Sequence, residues 1–504
     1  MSPLIKASAP ARPVSRRRTQ FALGVGVAVV AGLGYGYGVK PAAATPDQIA
    51  ASTITPVRNT TVVCPIVNGQ ADVNVNAFSP AGGGAPATGD TATVSAYNNQ
   101  TPAVTLKQPG ALSTAKNLSG DIANLSQDNV PVVAQATGAY APGFTLTETI
   151  ASTGTGTLHG LASTPCTAPD TDYWYIGAAA DAKSAKLNIY NSDQIAAEVN
   201  LTAYTQDGPV ASGVMQTDQG LLVQPAAQYT QPIDLTALAT GTTPLAVHLT
   251  TTAGRVSAAL LDSDSNGGRD FILAQKPSAR LVIPGIPAPS NNAASKMKLQ
   301  LTLLSPTTDT DVTLHWIGGS TITPDVQVPH LTAGKVQQVD LSNVPVPGEA
   351  AALQIDSANG TPIIAEIRVV AEGGNDSAYL SPVPALTGES IVADDADGSV
   401  VELTNTAAKD AQVKVTTEGS GTPNAQTVTV PAGSTKAVKL QAPTGGAAPF
   451  AVSVVPMDGA ASVYAARIMT GDGGLITIQP MSTALETVNV PAVRSDLSGA
   501  VPQP

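Results

Sequence analysis

The stretch Leu245-Ala-Val-His-Leu-Thr-Thr-Thr-Ala-Gly254-Arg-Val-Ser-Ala-Ala-Leu-Leu261 decides the fold. It reads as an apolar strand, a tight turn at Gly254 and a second apolar strand. The spacing around it recurs. A leucine is followed nineteen residues later by a glycine at Leu235/Gly254, Leu341/Gly360 and Leu440/Gly459. A Gly-Gly pair lies thirteen or fourteen residues further on, at Gly267-Gly268, Gly373-Gly374 and Gly473-Gly474. Unrelated segments would not hold those gaps constant, so the chain is built from repeats of one unit.

Each unit also opens in the same way. Lys186–Tyr190 with Ala197–Tyr204, Met297–Leu304 with Asp311–Trp316, and Val400–Leu403 with Ala411–Val415 form hairpin-like pairs ahead of the ruler. About seven short strands per hundred residues is the pattern of a β-sandwich. The expected architecture is all-β, with immunoglobulin-like β-sandwich repeats in series behind an N-terminal signal or anchor helix. The alternative is a single closed ring or propeller-like assembly, because Val488–Val493 resembles the strand opening each unit and could pair back on the N-terminal domain. The expected boundaries are a basic segment 1–20, an apolar segment 21–39, a linker 40–60, a first β domain 61–169, repeats at 170–279, 280–385 and 386–495, and a tail 496–504. Each repeat is expected to own its core, with Gly254, Gly360 and Gly459 in equivalent turns that require positive φ.

Composition narrows the function. Only 12% of the 504 residues are charged and 4% aromatic, and the net charge is -12. No basic cluster occurs outside the first eighteen residues, so a phosphate-tracking, base-stacking surface is excluded and no nucleic-acid partner is expected. The N-terminus carries Arg12, Arg16, Arg17 and Arg18 before an uncharged run from Phe21 to Val39. That order predicts export, with membrane attachment if the segment is retained, or cleavage near Ala42-Ala43-Ala44 if it is not. The body is expected outside the cytoplasm.

Two cysteines, Cys64 and Cys166, suit an oxidising compartment and predict a structural disulfide. Closing a loop of that length is worth up to ~4.7 kcal/mol on the chain-entropy model.

The segments Cys166-Thr-Ala-Pro-Asp-Thr-Asp-Tyr-Trp-Tyr-Ile-Gly177, Gly254-Arg-Val-Ser-Ala-Ala259, Leu281-Val-Ile-Pro-Gly285, Val463-Tyr-Ala-Ala-Arg467 and Val488-Asn-Val-Pro491 have a common resemblance. With them the chain resembles, over nearly its whole length, an uncharacterised family of exported actinobacterial proteins with an N-terminal hydrophobic segment. The resemblance implies location and transfers no catalytic residues.

Motifs for chemistry are sparse. His159, His248, His315 and His330 lack HExxH or other helical ligand spacing, and there is no nucleophile elbow or phosphate loop. Ser113-x-x-Lys116 and Ser295-x-x-Lys298 match one penicillin-binding motif without its companions. The metal candidate is Asp262, Asp264, Asn266 and Asp270, oxygens at calcium-loop positions around Gly267, but position twelve is Leu273 instead of glutamate. A solvated acidic turn competes with that structural calcium site, and no other cofactor is expected. Tyr173, Trp174 and Tyr175 alternate faces on a strand, which favours core packing over a sugar-stacking platform.

The expected protein is therefore a non-catalytic extracytoplasmic envelope protein, a scaffold, spacer or assembly partner for a cell-envelope protein or polysaccharide. The alternative is a glycan-binding or glycan-cleaving protein, which paired carboxylates in an open cleft would favour.

Overall fold

A computed structural model describes residues 52–490, apart from 65–71, 81–83, 97–103, 109–111, 117–130, 153–158, 179–181, 211–219, 226, 229–231, 239–242, 265–267, 288–296, 320–325, 345, 349, 371–375, 395–398 and 458–461. The expected signal or anchor segment lies outside the described residues. Among the described residues no helix is long and apolar enough to cross a membrane.

The chain forms two compact units, Met1–Thr55 with Asn489–Pro504, and Pro56–Val488. Of the first, residues 52–55 and 489–490 are described, within a two-stranded pairing of Thr53–Pro56 with Thr487–Val490. The closing strand thus pairs with a strand in the lead segment that was expected to be a linker.

The second unit holds four antiparallel sandwiches in chain order, spanning residues 59–165, 172–272, 280–380 and 390–481. The fourth shows the plan most fully. One sheet runs Ser390–Asp394, Phe450–Pro456, Ala411–Gly419, Asn424–Val430, and the other Ser434–Lys439, Val400–Asn405, Val463–Gly471, Leu475–Met481. The first and third repeats use the same order, and the second differs only in splitting two outer strands into short pieces. None of these sheets closes into a barrel.

Burial follows position. Ala197–Thr205, in an outer sheet, alternates strictly between buried and half-buried residues, as a strand with one face on a core must. Arg269–Ile272, Ser377–Leu380 and Leu475–Met481 are buried at every residue. Both faces of these strands are covered, one by the repeat's own core and one by the preceding repeat.

The repeats do not own separate cores. Leu261 and Phe271 of repeat 2 enter the core of repeat 1, Tyr379 of repeat 3 enters that of repeat 2, and Ile476 and Ile478 of repeat 4 enter that of repeat 3. Repeats 1 and 4 also meet, through Phe78 against Ile391 and Ala451, and Leu161 against Met469 and Leu475. The sandwiches are serial in sequence and closed in space, so the two expected architectures coexist. Limited interfaces between repeats were expected, and the shared cores correct that. Each repeat has a second apolar face that alternation within one strand does not reveal.

The ruler glycines sit in connections that cross from one sheet of a sandwich to the other: Leu245–Ala253 and Ser257–Asp264 belong to opposite sheets, as do Ala350–Ser357 and Ile364–Val370. The opening pairs cross in the same way, Ala182–Asn191 and Ala197–Thr205 among them, so the hairpins expected from local spacing are inter-sheet crossovers, because both strands bury an apolar face in the shared core. Gly254 has φ +67° and Gly360 φ +72°, while Gly459 lies outside the described residues.

Candidate functional site at the junction of the four repeats

The last strand of each repeat runs along a common centre: Gly160–Pro165, Arg269–Ile272, Ser377–Leu380 and Leu475–Met481. Each packs against the corresponding strands of two other repeats, in the cycle 1–2–3–4–1. Four sheet edges facing one another would leave backbone N–H groups unpaired away from water, each orphan costing about 1–3 kcal/mol.

Asp376 answers this. Its carboxylate accepts the backbone N–H of Leu161 at 3.1 Å, Arg269 at 3.3 Å, Ser377 at 3.0 Å and Ile476 at 2.8 Å. Those donors come one from each repeat. Space for the carboxylate comes from glycine at the matching positions of repeats 1 and 2. A Cβ on Gly160 would stand 2.8 Å from Asp376 Oδ1 and 2.7 Å from Arg269 N, and one on Gly268 would stand 2.9 Å from Ser377 N. Burial pushes the Asp376 carboxyl up, to about 6, against the pull of its N–H donors. It is ionised at neutral pH, with four donors for its roughly four acceptor sites. It is an unsuitable base or nucleophile.

Around Asp376 the other buried polar groups also bridge repeats. Asp270 accepts from Phe271 N at 2.9 Å, Tyr379 N at 3.2 Å and Thr477 Oγ1 at 3.1 Å, and the Tyr379 hydroxyl donates to Asp262. Arg467 donates to the Ala393 carbonyl at 2.7 Å, Ser163 Oγ at 2.9 Å and Gln479 Oε1 at 2.6 Å. Burial raises Asp270, Glu148 and Glu366 well above the usual carboxylate range, and the nearby Arg269 guanidinium draws Glu148 partly back.

Next to this junction lies a cavity of about 700 Å³ walled by the linkers of all four repeats. Phe144, Tyr173, Leu281, Val383, Ile391 and Pro480 line it, with charge concentrated at Asp170, Asp172, Lys276 and Arg280. Those charges have partners: Lys276 Nζ is 3.1 Å from Asp170, His248 Nε2 is 2.7 Å from Asp172, and Arg280 Nε is 2.5 Å from Asp356. A second cavity, of about 450 Å³, lies where repeats 1 and 4 meet and contains Arg58, Asp90, Glu389 and Glu486. Burial first, then the charge of Glu389 and a hydrogen bond to it, raise the Glu486 carboxyl.

The sequence candidates fall in different places. Cys64 and Cys166 are bonded, with Cα atoms 4.6 Å apart across a separation of 102 residues, and tie the opening strand of repeat 1 to the linker at the 700 Å³ cavity. Asp262 and Asp270 stand opposite each other in a strand pair, not around a loop, and both bond to Tyr379 across the repeat boundary. Asn266 lies outside the described residues, as does the side chain of Asp264. Pairing thus places two of the four calcium-loop candidates, Asp262 and Asp270, at the repeat junction. Ser113 and Lys116 lie on one strand, Leu112–Lys116, and not on the helical turn that the motif needs.

The aromatic triplet packs. Tyr173 and Tyr175 stack in the core of repeat 2, and Trp174 joins Leu304 and Ile364 between repeats 2 and 3, with none more than 6% exposed. His248 stacks on Trp174 at 3.7 Å and pairs with Asp172, His315 pairs with Asp356 at 3.4 Å, and His330 with Asp311 at 2.8 Å.

Sequence reasoning missed the central clasp. Asp376 ends a segment read only as a glycine turn, and its role depends on three distant strands. A signal existed in Arg269, Arg368 and Arg467, arginines set among apolar residues, the first two beside Asp270 and Glu366.

Among solved structures, a crystal structure of a tetra-tandem repeat in the extending region of a large adhesion protein is 13% identical, covering 84% of this chain and 94% of that one. Its TM-score of 0.11 is too low to carry weight. No curated protein matches. A family model matches residues 119–441, and on that match the chain belongs to DUF5719, a family of unknown function.

Proposed function

We propose that this protein is a non-catalytic component of the cell envelope, outside the cytoplasm, acting as a scaffold or assembly partner. One observation carries the reading. The carboxylate at the centre of the molecule is saturated by backbone N–H groups from all four repeats, so the most deeply built polar site serves to hold a rigid platform together. The disulfide supports an oxidising location and stiffens the wall of the axial cavity. A platform of this kind presents fixed loops to a partner protein at little ordering cost.

The test is capture of partners from intact envelope by the full chain, compared with Val383→Arg, which places a charge in the apolar axial cavity. Recovery of a defined envelope protein that Val383→Arg loses supports the reading. Release of soluble sugars from purified cell wall by the wild-type protein overturns it. A reporter fused near residue 60 that works only in the cytoplasm overturns the location.

The axial cavity also favours a second reading, glycan binding, since about 700 Å³ falls in the size range of small-ligand sites. Titration with solubilised wall polysaccharide separates the two. Saturable heat that Val383→Arg abolishes selects the glycan, and its absence selects the protein partner.

A further inference from the structure

We propose that the outer edge of the fourth repeat, strand Asn424–Val430, is a self-association edge at which two copies of this chain pair antiparallel about a two-fold axis through Thr427.

An open sheet edge carries unpaired backbone groups, and proteins blunt such edges by shortening, proline, bulges or charge. The equivalent edges of the other repeats are blunted. In repeat 1 the edge strand is Val104–Thr105, two residues long. In repeat 2 it is broken into Gly208–Val210, which contains Pro209, and Leu221–Val223. In repeat 3, Val326–Leu331 contains Pro329 and pairs with a register shift between Thr310 and Val312.

Asn424–Val430 has none of these devices. Its seven residues pair without a shift against Ala411–Thr417, and they include no proline and no charge. Among the described residues no strand pairs on its other side. Ala425, Gln426, Thr427 and Thr429 are exposed. The edges of the opposite sheets carry Lys116, Asp340, and Lys436 with Lys439, and the uncharged edge Asn59–Cys64 is covered at Val63 by backbone pairing with Thr167. Two carbonyls accept from side chains: Asn405 Nδ2 donates to Val430 O at 3.1 Å at the end of the strand, and Lys436 Nζ donates to Thr429 O at 3.3 Å from an exposed position, from which it can swing to solvent when a strand arrives.

The occupant follows from self-complementarity. Two-fold antiparallel pairing sets each residue against its mirror position, so any charge near the axis meets a like charge or must find its counterion within the same strand. In a chain of net charge -12, copies repel, and an uncharged edge is where they can approach. About Thr427, the pairing sets Thr427 against itself, Ala425 against Thr429 and Gln426 against Val428. Threonine opposite threonine is a favourable cross-strand pair. The four-stranded sheet of each copy then continues into the other.

Sedimentation of the full chain over a wide concentration range is expected to show a reversible dimer. Thr427→Lys sets two ammonium groups face to face and is expected to weaken association about tenfold or more while leaving thermal unfolding in place. Thr427→Cys introduces the sole free thiol, because the two native cysteines are bonded, and mild oxidation is expected to give a covalent dimer. Thr105→Cys, on the two-residue edge of repeat 1, is expected to stay uncrosslinked. A monomer at every concentration overturns the proposal. So does a dimer that Thr427→Lys leaves unchanged, or crosslinking through Thr105→Cys equal to that through Thr427→Cys.

Discussion

The inner and outer edges of the same sheets solve one problem in two ways. At the centre, four edge strands are buried together and their free N–H groups converge on Asp376. At the periphery the edges stay in water, and those of the first three repeats are blunted by a two-residue strand, Pro209 or Pro329. Burial makes the difference. Where water is excluded an unpaired N–H needs a built partner, whereas at the surface it needs only to be unattractive to another strand. Closure of the four repeats is therefore a polar device laid over an apolar one.

The most direct way to break that contrast is Asp376→Ala. It orphans N–H groups in four repeats at once and is expected to destabilise the unit by about 3–5 kcal/mol, with relaxation and water entry recovering the rest. Hydrogen exchange should lose protection in Leu161, Arg269, Ser377 and Ile476 together. Loss confined to repeat 3 would falsify the shared clasp.

Gly268→Ala tests the room left for the carboxylate. Its Cβ meets Ser377 N at 2.9 Å at a φ of +116°, so a cost of about 1–3 kcal/mol is expected, read as a lowered denaturation midpoint at unchanged slope. A midpoint equal to wild type would mean that the repeats stand further apart.

The ruler turns sharpen the comparison at smaller scale. A Cβ on Gly254 meets the Ala196 carbonyl at 2.9 Å, whereas one on Gly360 meets nothing within 4 Å. Gly360→Ala is expected to cost only about 1 kcal/mol, from positive φ alone, and Gly254→Ala more. Thermal unfolding of the two variants side by side checks the order, and a larger loss at Gly360 would reverse it.

The smallest effect is a pH slope. Asp376, raised from 3.8 to about 6, keeps its proton in the folded state at pH values where the unfolded chain has released it. Its contribution to stability is therefore complete below about pH 4 and declines as pH rises to about 6. Asp270, Glu148 and Glu366 are raised as well and act with the same sign. Denaturation midpoints measured from pH 7 down to about 5 should rise, and a steady fall would show that these groups ionise freely in the folded protein.

Much of the architecture was legible beforehand because strand alternation and turn glycines are local. Leu245–Leu249, Gly254 and Val256–Leu261 together specify two strands and a tight turn, and three copies of that spacing specify repeats, although the turn crosses between sheets where a hairpin was expected. The cysteine pair could be read from parity and export. The aromatic triplet could be read as core because alternate faces of one strand cannot all form an exposed platform.

What sequence periodicity left open was the partner of each strand's second face. Ile364–Val370 is buried at all but its last residue, Glu366 and Arg368 included, so both of its faces are covered, and nothing in the run says by what. Nor could it place Asp262 and Asp270, whose spacing suits a calcium loop but whose strand pairing sends them to Tyr379 in another repeat. Sequence by itself determined the strands, the turns and the number of repeats, since each depends on contacts within a few residues. Only tertiary structure decided that the first repeat meets the last and that one aspartate binds all four, because donors separated by more than three hundred residues converge only once the cores have closed.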